Sequence, residues 1–467
     1  MVHSEAKTGF WYARVIWVVH RLIWIWYQPL FNIFTQQVIL NRKKILETKT
    51  PLIFVSNHES HFDPFLISGA TPCFGHVMPI RFFSRDIFFE QFKYKLFLWL
   101  VGAFPGHIGL GLKEATELPA RYLNEGYSIG VFPEWCFPDE PEASRMQNAA
   151  PAISQESGAP IVPVFLFGIQ GLSWSKVFLM KKKIIISFGD PIYPDAKETL
   201  ENYTERVSHG LLAARFATVQ YIRGKEHNFW ASYADFYKHL ELAAPYQKMT
   251  ALILGLIAQK NVCGRWLDLG TGSGAMTELV LQAAGKNAIQ VLATDFSDKM
   301  LDTAKERFKS NPNVTIEKVD LTEHLPYDNG SFDGVVANLV LPYITHHAGV
   351  LGKEALANAI LQVHRVLKPG GFFLFSTPKP HVNFIYVALA SWKSFFRRDH
   401  PEYRRLALHI LRHALRIQKW GRREIYNFLS LSDLEDLFYE VGFVNLQFKL
   451  TLSDQVYVVT GEKVTSS

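Results

Sequence analysis

Asp268-Leu269-Gly270-Thr271-Gly272-Ser273-Gly274 is the stretch that decides the reading of this chain. It ends the apolar run Arg265-Trp-Leu-Asp-Leu269 and opens a segment with helical spacing, so it reads as a strand–loop–helix junction. Glycines there let a backbone pass close to a bound ligand where a Cβ would collide. Outward from it, strand-like runs recur at Gln290–Thr294, Phe332–Ala337 and Gly371–Phe375, with helical stretches between them. The same alternation appears earlier, in residues 51–55, 128–132 and 161–167. Strands alternating with helices indicate α/β domains with largely parallel sheets. At 467 residues the chain is too long for one ordinary core and fits two domains. The expected division is a helical lead over 1–45, a first domain over 46–225 and a second over 226–467.

Hydrophobic content of 48% with 20% charged residues is a folded composition. The aromatic load is heavy, at 36 Phe, 18 Tyr and 11 Trp, and much of it falls in the first hundred residues. A Phe-rich soluble core is the plain explanation; a protein resting against lipid is the other, because Trp and Tyr favour the bilayer interface. A net charge of +6 leaves no nucleic-acid footprint, although an anionic membrane surface attracts the same excess. Cys73, Cys136 and Cys263 are scattered and lack ligand spacing, which suits a reducing compartment without disulfides or a metal site.

The first residues do not read as a cleavable signal, since Arg14, His20 and Arg21 interrupt the apolar stretch and no small-residue cleavage site follows. From Leu22 to Leu40 no charge occurs, yet Gln28, Pro29, Asn32, Gln36 and Gln37 make the run too polar for a clear spanning helix. Trp11, Trp17, Trp24 and Trp26 beside basic residues read as a segment lying in the interface. Membrane association on the cytoplasmic face is therefore expected, peripheral or monotopic, with a single span as the alternative.

The glycine loop also reads as Gly-x-Gly-x-x-Ala through Ala275, so a dinucleotide site has to be weighed. Three acids turn the balance. Asp268 suits the amino group of a methionine moiety and would repel a pyrophosphate. Asp295 ends the next strand, where a carboxylate accepts both ribose hydroxyls. Asp320 ends the third strand, within reach of an adenine. With Phe332-Asp333 and the Pro369-Gly370-Gly371 turn, these features resemble the class I S-adenosylmethionine-dependent methyltransferases over residues 230–467. The resemblance implies a Rossmann-like seven-stranded sheet closed by an antiparallel hairpin, here 444–450 and 455–460. It implies S-adenosyl-L-methionine as cofactor, held by Asp268, Gly270, Gly272, Gly274, Asp295 and Asp320, whereas Asp333 is read as structural. The methyl acceptor is not written in the residues, because transfer from a sulfonium needs mainly in-line positioning. Residues 397–423 are basic and interleaved with apolar positions, which suits a helix on anionic lipid or a solvated face.

In the first half, Ser56-Asn57-His58-Glu59-Ser60-His61-Phe62-Asp63-Pro64 follows a strand. Acyl transfer to a hydroxyl needs a base, and histidine serves near neutral pH. A carboxylate on the far ring nitrogen would fix its tautomer, and a turn must bring His58 and Asp63 together. His61 is a competing base. Asn-His-x-x-x-x-Asp, together with Phe132-Pro133-Glu134 and Ile161-Val-Pro163-Val, resembles the glycerolipid acyltransferase family over about residues 10–220. The resemblance implies transfer from acyl-CoA or acyl carrier protein to a lyso-lipid or lipid-like alcohol at a membrane surface, with His58 and Asp63 catalytic and Glu134 in the acceptor pocket. The chain departs from the family at Trp135-Cys136-Phe137, where Gly-Thr-Arg is usual, and lacks an arginine after Gly102-Ala-Phe-Pro105. Without those phosphate-holding arginines, an uncharged or amino-headed lyso-lipid stands level with lysophosphatidic acid. The whole reads as a bifunctional lipid enzyme; the alternative is a methyltransferase carrying an inactive acyltransferase-like module.

Overall fold

The computed structural model describes residues 10–48, 51–58, 60–84, 86–105, 112–132, 141–169, 182–392, 401–423 and 425–465. Packing divides the chain into two units, Met1–Tyr221 and Ile222–Ser467.

The first unit runs α1 (Phe10–Phe34), β1 (Gln36–Leu40), α2 (Lys43–Leu46), β2 (Ile53–Ser56), α3 (Asp63–Ala70), β3 (Ile80–Ser84), α4 (Asp86–Glu90), α5 (Phe92–Leu100), β4 (Phe104–Pro105), α6 (Leu112–Asn124), β5 (Ser128–Val131), α7 (Pro141–Ser157), β6 (Ile161–Phe167) and β7 (Lys183–Phe188). Its seven strands lie in the order β1-β7-β6-β2-β5-β3-β4. Pairing is parallel except where β6 meets β7. Ile53, Phe54 and Val55 are all buried because helices cover both faces of a parallel sheet, so β2 shows no polar alternation. Gln36–Leu40, within the stretch read as a membrane-facing lead, is an edge strand on β7. Pro29 does not stop α1. A proline inside a helix costs about 3 kcal/mol. That cost is offset where Phe31 enters the core and Trp24, Tyr27 and Phe34 pack against it.

α8 (Leu200–Leu240) crosses the division, and its residues from Ile222 count with the second unit. There follow α9 (Ala244–Ala258), β8 (Gly264–Leu269), α10 (Ala275–Ala284), β9 (Ile289–Asp295), α11 (Asp298–Arg307), β10 (Val314–Lys318), β11 (Phe332–Asn338), β12 (His346–His347), β13 (Val350–Leu351), α12 (Lys353–Val366), β14 (Leu367–Pro378), α13 (Phe384–Ala390), α14 (Pro401–Arg422), α15 (Leu431–Val441), β15 (Phe443–Thr451) and β16 (Val456–Lys463). Seven strands form a sheet ordered β10-β9-β8-β11-β14-β16-β15. β16 runs antiparallel to both of its neighbours, and the other pairs are parallel. Trp266 packs on one face with Met249, Ile253 and Val280, while Leu267 packs on the other with Val335, Ile360 and Phe373. Between β8 and β11 the strand order reverses direction. Crevices at such a switch point, outside the carboxyl ends of the strands, are where open α/β sheets bind ligands.

Candidate active sites

At the end of β2 the chain turns through Ser60–Phe62 and re-enters a helix at Asp63. That turn brings the paired residues together: His58 Nδ1 and Asp63 Oδ2 are 2.5 Å apart. Asp63 is fully buried and is further held by Ser60, whose backbone N–H donates to Oδ2 at 3.1 Å and whose hydroxyl donates to Oδ1 at 2.5 Å. The His58 ring stacks on Phe132, with centroids 4.4 Å apart. Asn57 is tied to β6 by two bonds: its Nδ2 donates to the Leu166 carbonyl at 2.9 Å, and the Leu166 N–H donates to its Oδ1 at 2.8 Å. His58 is thus fixed from both sides along the chain. His61 is exposed. Glu134, His107 and the departure at residues 135–137 lie outside the described residues.

In the second unit, Gly270 has φ +66°, and a Cβ there would stand 2.4 Å from Val340 Cγ2. Gly274 has φ +90° and caps α10, and a Cβ there would meet the Phe308 ring at 2.4 Å. At these two positions glycine is required by the protein's own packing as well as by its backbone angle. The loop is stitched to β9, since Thr271 N–H donates to the Thr294 carbonyl at 2.8 Å and Gly272 N–H to Asp295 Oδ2 at 3.0 Å. Asp295 also accepts from Ser297 N–H at 2.9 Å. Burial raises the Asp295 carboxyl above its ordinary range, against the pull of the backbone N–H groups of Ser297, Gly272 and Phe296.

Asp268 lies beneath the loop, fully buried. Its Oδ2 accepts from Thr271 Oγ1 at 2.6 Å, Thr277 N–H at 3.0 Å and Thr277 Oγ1 at 2.7 Å. Burial pushes this carboxyl up to about 6, despite those bonds. The folded state therefore holds the proton more tightly than the unfolded chain does, and Asp268 contributes stability that fades as pH rises from about 4 to about 6. Relative to Asp268→Asn, the wild type should lose up to about 3 kcal/mol across that window and change little above pH 7. Hydrogen exchange of the β8 amides measures it; a difference flat with pH would contradict the assignment.

A cavity of about 460 Å³ opens at the switch point and is lined by Gly270, Gly272, Asp295 and Asp320. Four of the six residues expected to hold the cofactor therefore share one space, whereas Asp268 and Gly274 support it from outside the lining. Asp320, just past β10, pairs with Arg223 and accepts from Thr322 N–H at 3.0 Å and Thr322 Oγ1 at 2.6 Å. Burial raises its pKa, but the Thr322 bonds and the Arg223 charge outweigh this, and the carboxyl falls below its usual range.

The lining also holds Trp230, Phe296, Met300, Asn338, Tyr343 and His346, none of which the sequence singled out. Burial drives His346 down to about 4, so it faces the cavity as a neutral imidazole. The buried polar atoms at this end of the sheet without a hydrogen-bond partner among the described residues include Nδ2 of Asn338, a donor in the lining, and Oδ1 of Asp268, an acceptor beneath the loop. Ribose hydroxyls match Asp295 and a carboxylate matches the Asn338 amide, while Asp268 lies buried behind the loop, so the residues that line the cavity fit S-adenosyl-L-methionine.

Residues 12–166 match the family model described as acyltransferase, and residues 267–375 match that of a methyltransferase domain. A demethylmenaquinone methyltransferase from Staphylococcus aureus (strain JH9) is 28% identical over 192 residues, covering 39% of this chain and 69% of that protein. Among solved structures, the CurJ carbon methyltransferase is 16% identical, with 48% of this chain and 56% of that chain covered, at a TM-score of 0.36. A SAM-dependent methyltransferase from Aquifex aeolicus is 15% identical, with 50% and 98% covered, at a TM-score of 0.33. The chain spans little more than half the length of the CurJ protein. The two family matches fall on the two sheets in turn, and the chain carries an acyltransferase domain followed by a methyltransferase domain.

Proposed function

We propose that the chain is a bifunctional lipid enzyme at the cytoplasmic face of a membrane. The first domain O-acylates a lyso-lipid or lipid-like alcohol from acyl-CoA or acyl carrier protein, and the second methylates a lipid or related acceptor from S-adenosyl-L-methionine. The observation that carries this reading is where the two chemistries lie. The His58–Asp63 pair stands at the carboxyl end of β2, and the cavity stands at the carboxyl ends of β8 and β9. Sheets of this class gather reactive groups at that edge.

With Nδ1 bonded to Asp63, His58 takes the acceptor's hydroxyl proton at Nε2 as the oxygen attacks the thioester carbonyl. Asp63 stabilises the imidazolium, which then gives the proton to the departing thiolate, released as thiol. Glu134 belongs to the acceptor pocket in this reading. Bound S-adenosyl-L-methionine supplies a methyl group on a sulfonium. Asp295 would accept from the ribose hydroxyls and Asp320 would stand at the adenine end, with Trp230 and Tyr343 as apolar walls of the same cavity. Calorimetry should show S-adenosyl-L-methionine binding, and Asp295→Ala should weaken it by about 1–3 kcal/mol through lost hydrogen bonds. No binding by the wild type would remove the reading of the second domain.

The membrane reading is supported by apolar side chains that face outward on the first unit. α5 buries none of its residues and exposes Phe92, Leu96, Phe97 and Trp99. On α1, Trp11 and Trp26 are 76% and 77% exposed. Among the described residues no helix is long and apolar enough to cross a membrane, so docking rather than spanning is proposed. The protein should sediment with membranes and leave them only in part at high salt, because apolar insertion is not screened. Complete release by salt would mean that nothing is inserted.

The departure at Trp135-Cys136-Phe137 favours one rival: a methyltransferase with an inactive acyltransferase-like module. The intact His58–Asp63 bond weighs against it, since a docking module has no use for an oriented base.

A further inference from the structure

α13 is amphipathic in the reverse of the usual sense. Phe384 and Val387 face the core, yet Ile385, Tyr386 and Leu389 point outward, and Trp392 continues the same stripe one turn on. Two of these are bulky aliphatics and two are aromatics with a polar handle, and each is close to half exposed or more. The chain from Phe384 to Trp392 contains no charged residue.

α14 lies alongside. The Phe384 N–H donates to the Gln418 side-chain oxygen at 2.8 Å, which holds the start of α13 against the end of α14. Ile410 and Ile417 of α14 are buried in the core, and Leu406 and Ala414 pack there too. The opposite face presents Leu408, His409, Arg412, Arg416, Lys419 and Arg422, at spacings of three and four that keep them on one side. Residues 406–423 contain no carboxylate. An outward apolar stripe thus runs beside an outward cationic one, and the one acid on α14, Glu402, precedes the cationic stripe in the helix's first turn.

We infer that α13 and α14 form a second docking face, on the methyltransferase unit, for the anionic leaflet of a bilayer. It rests on the membrane reading above. Charge selects the occupant: a leaflet rich in phosphates complements four cations, and beside it the acyl region receives Ile385 and Leu389 while Tyr386 and Trp392 sit at headgroup level. The face also lies near the reaction site. Trp420 of α14 packs on Tyr426, with centroids 5.4 Å apart, and Tyr426 packs on Tyr343 at 5.1 Å. Tyr343 is a wall of the cavity.

The test uses the full chain with Leu389→Cys and, as a control, Asp302→Cys on the exposed side of α11. Each is labelled with a water-soluble maleimide, and modification is read at that position by peptide mass spectrometry. Phosphatidylcholine vesicles containing three parts in ten of phosphatidylglycerol should slow labelling at position 389 by about tenfold or more, and at position 302 by less than about twofold. Pure phosphatidylcholine vesicles should protect position 389 far less. Arg412→Glu with Lys419→Glu should restore labelling at 389 while sedimentation through the first unit persists. Protein that sediments with anionic vesicles but labels at 389 at its solution rate overturns this inference alone. So does protection that survives the charge reversal. Protection that rises with protein concentration in the absence of lipid assigns the face to a second copy and overturns the lipid. Protein that does not sediment at all overturns this inference together with the membrane reading beneath it.

Discussion

His58→Ala lowers acyl transfer by about 10²–10⁴-fold, the usual worth of a positioned general base, while His61→Ala leaves it within about twofold. The geometry separates the two histidines. His58 is bonded to a fully buried carboxylate and stacked on Phe132. His61 is exposed, and the hydrogen bonds described at Asp63 go to His58 and Ser60. Asp63→Asn impairs transfer as well, since an amide can hold the wrong tautomer. S-adenosyl-L-methionine binding in the same preparations serves as the folding control, because that site lies in the other unit. Loss of turnover in His61→Ala with retention in His58→Ala would reassign the base. Normal transfer in both would make the first unit a module without this chemistry.

Gly270→Val abolishes cofactor binding, with an expected loss of more than about a hundredfold in affinity measured by calorimetry. A β-branched residue at φ +66° meets the left-handed penalty of about 1–2 kcal/mol. Its Cβ would also press on the Val340 side chain, whose own Cβ stands only 2.9 Å away. Overpacking of that kind adds about 1–3 kcal/mol, and the loop must shift to relieve it. Gly285→Ala is the control, because nothing lies within 4 Å of a Cβ at that glycine although its φ is also positive. Wild-type affinity in Gly270→Val would show that the loop does not set the site.

The parts of this molecule that sequence made legible are those whose chemistry is local. The glycine loop, the acid ending β9 and the His58–Asp63 turn are each contained in a few consecutive residues, and the structure brings each set together. The hidden parts depend on which way a side chain faces or on what arrives from elsewhere. Trp266, Leu267 and Asp268 are all buried, so β8 offers no alternation to show that Asp268 points beneath the loop. Trp230, Tyr343 and His346 reach one cavity from three separate elements, and their neighbours in sequence carry no common signal. Leu339 has φ +53°, a left-handed turn that nothing in a leucine foretells. Gln36–Leu40 looked like a polar break in an apolar helix and is a strand, because its partner β7 lies far along the chain.

One contact bears on how this enzyme can change over generations. Both bonds that tie Asn57 to β6 end on the backbone of Leu166, and neither involves the leucine side chain. Residue 166 is therefore open to drift among apolar types that keep a backbone N–H, without disturbing the neighbour of His58. Asn57 itself is not: aspartate cannot donate, and serine cannot do both jobs at that reach. The pair would leave no covarying trace in an alignment, although breaking it would loosen His58, the base in the proposed acyl transfer.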